Sequence, residues 1–184
     1  MIDPGIVVFS GVPGTGKSTL SDAVAREMRA PVFNWDWLMA AIRPFDAVQE
    51  VLDAGERDVY RDVGYALIHH LVLRQLQLGQ PSVIDCVVRQ RALDRWSAAA
   101  ADAEAAVHVV ECACSDVALH RTRVEGRDRR IPNWDELEWE WVLEARRTYE
   151  PLAGDKLVVD AVDPFAQNLA AVRDYIGLTT RNDA

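Results

Sequence analysis

Eight residues near the amino terminus, Gly11-Val12-Pro13-Gly14-Thr15-Gly16-Lys17-Ser18, fit the pattern G-x-x-x-x-G-K-[ST] in full. Each residue type in that run answers to phosphate chemistry. Glycines let the backbone curl so that its N–H groups converge on phosphate oxygens, and the start of the following helix adds positive potential. The candidate phosphate-binding set is therefore Gly11, Pro13, Gly14, Thr15, Gly16, Lys17, Ser18 and Thr19. Lys17 is expected to reach the β- and γ-phosphates of a nucleotide, and the Ser18 hydroxyl to ligate Mg²⁺. Further along, Asp85 closes the apolar stretch Val83-Ile84-Asp85. A lone charge in a buried strand is costly unless it is paired or beside a metal. Asp85 can thus hold Mg²⁺ directly or through water, serve as a base, or stand as a structural acid bonded to the Ser18 or Thr19 hydroxyl.

Such a loop needs a strand before it and a helix after it, and the flanking residues supply both. Ile6-Val7-Val8-Phe9 reads as a buried strand, with a helix from Lys17 to about Arg29. Pro31 to Asn34 is a weaker second strand, and Asp36 to Ala54 is helical but broken near Pro44. A long helix follows from about Glu56 to Leu78, with Val59, Val63, Leu67 and Leu71 on its apolar face, and Gly79-Gln80-Pro81 stops it. Ser82 to Val88 is a third strand, Arg91 to Glu104 a helix, and Ala106 to Cys112 a fourth strand. Ser115 then caps a helix reaching about Glu125. Gly126 to Asn133 is charged and irregular, Asp135 to Tyr149 helical, Leu157 to Val159 a fifth strand, and Pro164 opens a last helix ending near Ile176. Strands separated by helices imply an α/β fold in three layers around a parallel sheet.

At 184 residues, 49% apolar and 27% charged, the chain suits one globular domain covering 1–184. No apolar run approaches the roughly 20 residues that cross a bilayer, and the start of the chain carries no secretory pattern. A cytoplasmic protein without a membrane partner is expected, with Cys86, Cys112 and Cys114 as buried, reduced thiols. The net charge of −9 argues for a small substrate over long nucleic acid. Against that background Arg121, Arg123, Arg127, Arg129 and Arg130 form a local basic patch.

Over nearly its full length the chain resembles the small P-loop kinases grouped with zeta toxins, chloramphenicol phosphotransferase, gluconate kinases and the kinase module of polynucleotide kinases. The resemblance rests on the Gly11–Ser18 loop, Asp36 after the second strand, Asp85 in the third, the arginines after the fourth, and Tyr149-Glu150-Pro151 before the fifth. It implies a P-loop NTPase fold with a central five-stranded parallel sheet and an arginine-rich lid at about 126–137. The implied reaction moves the γ-phosphate of ATP or GTP, with Mg²⁺, to a hydroxyl.

In that family an Asp at the position of Asp36 takes or orients the acceptor's proton; the bland alternative is that Asp36 caps the next helix. Arg123-x-x-x-Arg127 resembles the lid entry, which assigns Arg123 to nucleotide binding and Arg127 and Arg130 to catalysis through charge on the transferring group. The alternative is a solvated basic face paired with Asp135, Glu136, Glu138 and Glu140. Arg43, Arg89 and Arg91 are candidates for an acceptor pocket, and Asp160 and Asp163 for the border of the nucleotide base. Polynucleotide kinases tend to carry an arginine three residues after the strand-two Asp, where this chain has Met39. Trp35 and Trp37 flank Asp36, one for an acceptor ring and one for the core, while Trp134, Leu137 and Trp141 share a helical face. His69, His70, His108 and His120 show no metal or catalytic spacing. The expected activity is ATP-dependent phosphorylation of a small hydroxyl compound such as an antibiotic, nucleoside, sugar or sugar nucleotide. The alternatives are a 5′-hydroxyl polynucleotide kinase and a regulatory NTPase, and the oligomeric state is open.

Overall fold

The computed structural model describes residues 5–55 and 57–178. The chain runs β1 (Gly5–Ser10), α1 (Lys17–Met28), β2 (Val32–Asn34), α2 (Trp35–Ile42), α3 (Asp46–Ala54), α4 (Arg57–Gln77) and β3 (Ser82–Asp85). It continues through α5 (Gln90–Asp102), β4 (Ala106–Ala113), α6 (Val117–Glu125), α7 (Trp139–Thr148), β5 (Leu157–Asp160) and α8 (Phe165–Tyr175). The five strands pair in the order β2-β3-β1-β4-β5, all parallel. This is the three-layer α/β arrangement expected from the strand and helix pattern, and the P-loop NTPase fold that the family resemblance implies.

The centre of the sheet follows from β1, whose six residues are all buried. Because successive side chains alternate faces, Ile6 and Val8 enter one core with Ile84, Tyr65, Ile68 and Trp96, which brings α4 and α5 onto that face. Val7 and Phe9 enter a second core with Val83, Val110, Leu20, Val24 and Leu169, which brings α1 and α8 onto the other. A smaller cluster of Val124, Trp139 and Val142 ties α6 to α7. Parallel strands place all their carboxyl ends on one edge, where Ser10, Asn34 and Asp85 arrive close to one another through the β1–β3 and β2–β3 registers. Ligands in open α/β sheets bind beyond that edge.

Three expectations are corrected. The row Val59, Val63, Leu67 and Leu71 is not the buried face of α4: Val59, Leu67 and Leu71 are exposed, and Tyr65, Ile68, Val72 and Leu76 take the core. The helix has apolar residues on two sides, and a rotation of about 100° per residue separates the rows. Its expected start at Glu56 lies outside the described residues. The helix expected from Asp135 begins only at Trp139. Asn133 has a left-handed φ of 57°, and the carboxylate of Glu136 is held by arginines rather than turned to a helix start. Trp134 and Leu137 therefore do not share a helical face with Trp141. Finally, Asp116, not Ser115, caps α6, its Oδ1 accepting from the amides of Ala118 at 2.8 Å and Leu119 at 3.0 Å.

Candidate active site

The Gly11–Ser18 loop lies between β1 and α1 at the carboxyl edge of the sheet. Gly16, with φ 83°, is the N-cap of α1, and no side chain accepts the amides of the first turn. Those donors are left for an anion, and the helix dipole points the same way. Lys17 is buried to 8% exposure, its Nζ donating to the Val12 carbonyl at 3.0 Å, and the Thr15 hydroxyl donates to the same oxygen at 2.9 Å. The loop is thus preformed around a buried ammonium. Residues 13–19 form one wall of a cleft of about 1160 Å³.

The opposite wall starts at Asn34. Its side-chain oxygen accepts from the Trp37 amide at 3.1 Å, capping α2, while its Nδ2 donates to Asp85 at 2.7 Å. A cap of this kind contributes about 1 kcal/mol. Asp36 is therefore not the cap; it projects from the first turn of α2 into the cleft. Burial raises its pKa, opposed by the charges of Arg129 and Lys17. Asp85, only 2% exposed, also lines the cleft. Its hydrogen-bond partner is Asn34, in place of the Ser18 or Thr19 hydroxyl considered from sequence.

The irregular segment between α6 and α7 crosses toward this wall. Arg129 pairs with Asp36 and, through Nε, with Glu136 at 3.0 Å; Arg127 Nε meets the same Glu136 at 2.9 Å. The Nη2 atoms of Arg127 and Arg129 are sheltered from solvent with no hydrogen-bond acceptor among the described residues. Two shielded guanidinium donors at a cleft suit the oxygens of a phosphate. Arg123 also lines the cleft. Arg130 does not: its side chain is 85% exposed and its Nε donates to Asp128 at 3.1 Å. Its left-handed φ of 52° marks the point where the chain turns, so Arg129 takes the place expected for Arg130.

Beyond Asp36 the cleft becomes aromatic. Trp35 packs edge-on against Tyr60 at 5.5 Å and Trp134 at 5.8 Å, and Arg43 lies 4.7 Å over the Trp134 ring. Arg43 also donates to the Asn133 carbonyl at 3.2 Å and to Asp135 at 2.9 Å, joining α2 to the arginine segment. The Trp35 indole N–H donates to the Arg61 carbonyl at 3.2 Å, across the face of α4 at Gly64. A Cβ at Gly64 would lie 2.0 Å from Trp35 Nε1. Gly64→Ala is accordingly expected to destabilise the fold by about 1–3 kcal/mol. That amounts to a fall of a few degrees in melting temperature, with ADP affinity preserved because the loop lies elsewhere.

Several other residues depart from expectation. Trp37 is 51% exposed and neither in the core nor in the cleft. Arg43 and Arg89 line the cleft, whereas Arg91 is exposed and paired with Asp62. Met39 is fully buried, so that position faces the core. Asp163 borders the cleft, but Asp160 is engaged by the amides of Ser115 at 3.1 Å and Val162 at 3.0 Å. The three thiols are buried and held above their ordinary pKa, Cys112 pushed up to about 12 by burial. Read from sequence, Tyr60 has no role, Arg129 stands only within the basic patch, Trp134 only on a helical face and Asn34 only at the end of a strand. Asn34, directly before a helix, carries a capping signal; Arg129 and Trp134 lie on a segment without periodicity, and Tyr60 lies on α4 off the apolar row read from sequence.

A family profile described as an AAA domain matches residues 6–152. No curated protein sequence matches the chain. Among solved structures, a sugar kinase from a Janibacter species superposes with a TM-score of 0.71 at 17% identity, covering 96% of each chain. A gluconokinase from Sinorhizobium meliloti gives 0.69 at 19% identity, covering 96% of this chain and 94% of its own. The APS kinase CysC of Mycobacterium tuberculosis, in complex with AMPPNP and APS, gives 0.65 at 16% identity, covering 96% and 99%. At these identities the likeness establishes the fold.

Proposed function

Because this chain belongs to the AAA domain family, whose profile spans residues 6–152, we propose that it is an ATP-dependent phosphotransferase acting on a hydroxyl of a small molecule. The observation that carries this reading is the single cleft shared by the Gly11–Ser18 loop and Asp36, close enough for the Lys17 charge to act on the Asp36 carboxyl. Kinase names among the solved structures of the same fold, one of them holding AMPPNP, support it.

Charge supports it as well. On a chain of net charge −9, the described cleft residues include seven lysines and arginines against five carboxylates. A positive cleft in an acidic body concentrates a polyanion such as a nucleoside triphosphate. Ser18 and Asp85 offer one hydroxyl and one carboxylate, hard oxygen donors suited to Mg²⁺ that keeps waters and phosphate oxygens as its other ligands. When bound, Mg²⁺ would neutralise charge between the β- and γ-phosphates.

The residues then divide the work. Loop amides and Lys17 hold the triphosphate in line. Asp36 accepts the acceptor's hydroxyl proton as the new O–P bond forms and the bond from the γ-phosphorus to the β,γ-bridging oxygen breaks, releasing ADP. Arg127 and Arg129 stabilise charge on the phosphoryl group in flight, with Arg123 at the nucleotide. The segment at about 126–137 acts as a lid tethered to α2 through Arg43. The aromatic end of the cleft, with Trp35, Tyr60 and Trp134, takes an acceptor that offers an apolar or planar face. No helix of the described residues is long and apolar enough to cross a membrane. The buried free thiols suit work in the reducing cytoplasm.

The test is ADP release from Mg·ATP with a panel of nucleosides, sugars, aminoglycosides, phenicol-type antibiotics and a short 5′-hydroxyl RNA. One small acceptor is expected to stimulate turnover by about 10²-fold or more over water alone. Stimulation by the RNA alone would move the chain to the polynucleotide kinases. Slow hydrolysis that no acceptor stimulates would favour a regulatory NTPase.

A further inference from the structure

The apex of the phosphate loop is held from behind by a histidine to which the chemistry above gives no part. His120 of α6 is fully buried, and its Nε2 lies 2.7 Å from the Pro13 carbonyl. Its Nδ1 lies 2.8 Å from Nη1 of Arg146 on α7, and the same nitrogen donates to the Cys114 carbonyl at 2.7 Å. A guanidinium can only donate, so Nδ1 is the acceptor and Nε2 carries the proton given to Pro13. The ring is wedged edge-on against Trp139 at 5.3 Å. It also touches the loop itself, since a Cβ at Gly14 would lie 2.9 Å from Nε2. Burial lowers the imidazole pKa against the opposing hydrogen bond to Pro13, and the neighbouring charges of Arg146, Lys17 and Arg123 add to the lowering. The ring is a neutral, single-tautomer donor.

Peptide geometry gives this bond a consequence. In a trans peptide the C=O and the following N–H point in opposite directions. Holding the Pro13 carbonyl against His120 therefore turns the Gly14 amide away from α6, toward the cleft that Gly14 lines. A carbonyl rotated inward would instead face the phosphates with negative charge. His120 and Arg146 also sit on the two helices that flank the arginine segment, α6 ending at Glu125 and α7 starting at Trp139.

We infer that His120, oriented by Arg146, is a positioning residue that aims the Gly14 amide at the nucleotide's β-phosphate and couples the loop to the helices carrying the arginine segment. This rests on the nucleotide-site reading above. The test compares ADP and AMP binding by calorimetry in wild type, His120→Leu, His120→Gln and Arg146→Met. Leucine keeps bulk but removes the donor, whereas the glutamine amide can replace Nε2–H. The preference for ADP over AMP is expected to fall about tenfold in His120→Leu, to recover to within about threefold of wild type in His120→Gln, and to weaken in Arg146→Met. Should the leucine protein not fold, Arg146→Met and His120→Gln carry the same comparison. Loss of ADP and AMP binding in equal proportion, or an unchanged ADP preference in both His120→Leu and Arg146→Met, would overturn the inference while the kinase reading stood. A wild type that binds neither nucleotide would remove the premise and the inference with it.

Discussion

Asp36→Asn is expected to lower acceptor phosphorylation by about 10²–10⁴-fold, the range that a positioned base contributes, while ADP affinity stays near that of wild type. Asparagine matches the carboxylate in size, so the cleft keeps its shape. It cannot take a proton, and it cannot pair with Arg129 as the carboxylate does. The pH profile gives a second handle. Burial raises the Asp36 pKa, with Arg129 and then Lys17 opposing. A base works deprotonated, so kcat/KM should fall as pH drops through that raised value, and the acid limb should lie above the ordinary carboxylate range. Arg129→Gln removes the stronger of the two opposing cations and should move the limb to still higher pH. An Asp36→Asn protein that retains acceptor-stimulated ADP release would transfer the base to Asp85 or dispense with one.

The Asp36–Arg129 pair also bears on how the arginine segment works. Both side chains are partly sheltered, 31% and 18% exposed. Removing one partner leaves the other in a less hydrated site, which is where ion pairs have consequences. In the pair, the carboxylate proposed to accept the hydroxyl proton is engaged by a guanidinium of the arginine segment. On the proposed roles, an acceptor hydroxyl approaching Asp36 and a γ-phosphate approaching Arg129 would compete with the pair from its two ends.

What was legible in the sequence follows from how tightly each position is constrained. The β1–loop–α1 unit could be read outright because glycine, lysine and hydroxyl each occupy a place that no other residue type fills. The sheet could be read because its central strands are apolar runs of fixed length. The choice between Arg129 and Arg130 could not, because the segment has no period; Glu136 holds the Arg129 guanidinium, while Arg130, at a left-handed φ, turns its own to Asp128. The face of α4 was misread because its helix is apolar on two sides and only the sheet selects between them. Asn34 combines a helix cap with a bond to Asp85, and the second role depends on a strand register that local sequence does not contain. His120 has no neighbour in sequence that announces it; Pro13 and Arg146 reach it from 107 and 26 residues away.

Gly11→Ala should be the most disruptive single change in the loop. Gly11 directly follows β1, at φ 136°, a conformation that residues with a Cβ rarely adopt. A Cβ there would lie 2.1 Å from the carbonyl oxygen of Cys112. That oxygen belongs to β4, the neighbour of β1 in the middle of the sheet, so it cannot swing aside as a flexible side chain would. Relief requires either separating two central strands or pulling the loop out of the curve that turns its amides inward. The first loses ladder hydrogen bonds and core packing, and the second loses the phosphate cradle. The expected cost is about 3 kcal/mol or more, combining backbone strain with the packing defect, or roughly 6–12 °C in melting temperature for a chain of this size. ADP affinity should fall together with stability in the folded fraction. Calorimetric melting and ADP titration of Gly11→Ala measure both, and a variant that melts and binds like wild type would mean that the strand and loop yield far more easily than their burial implies.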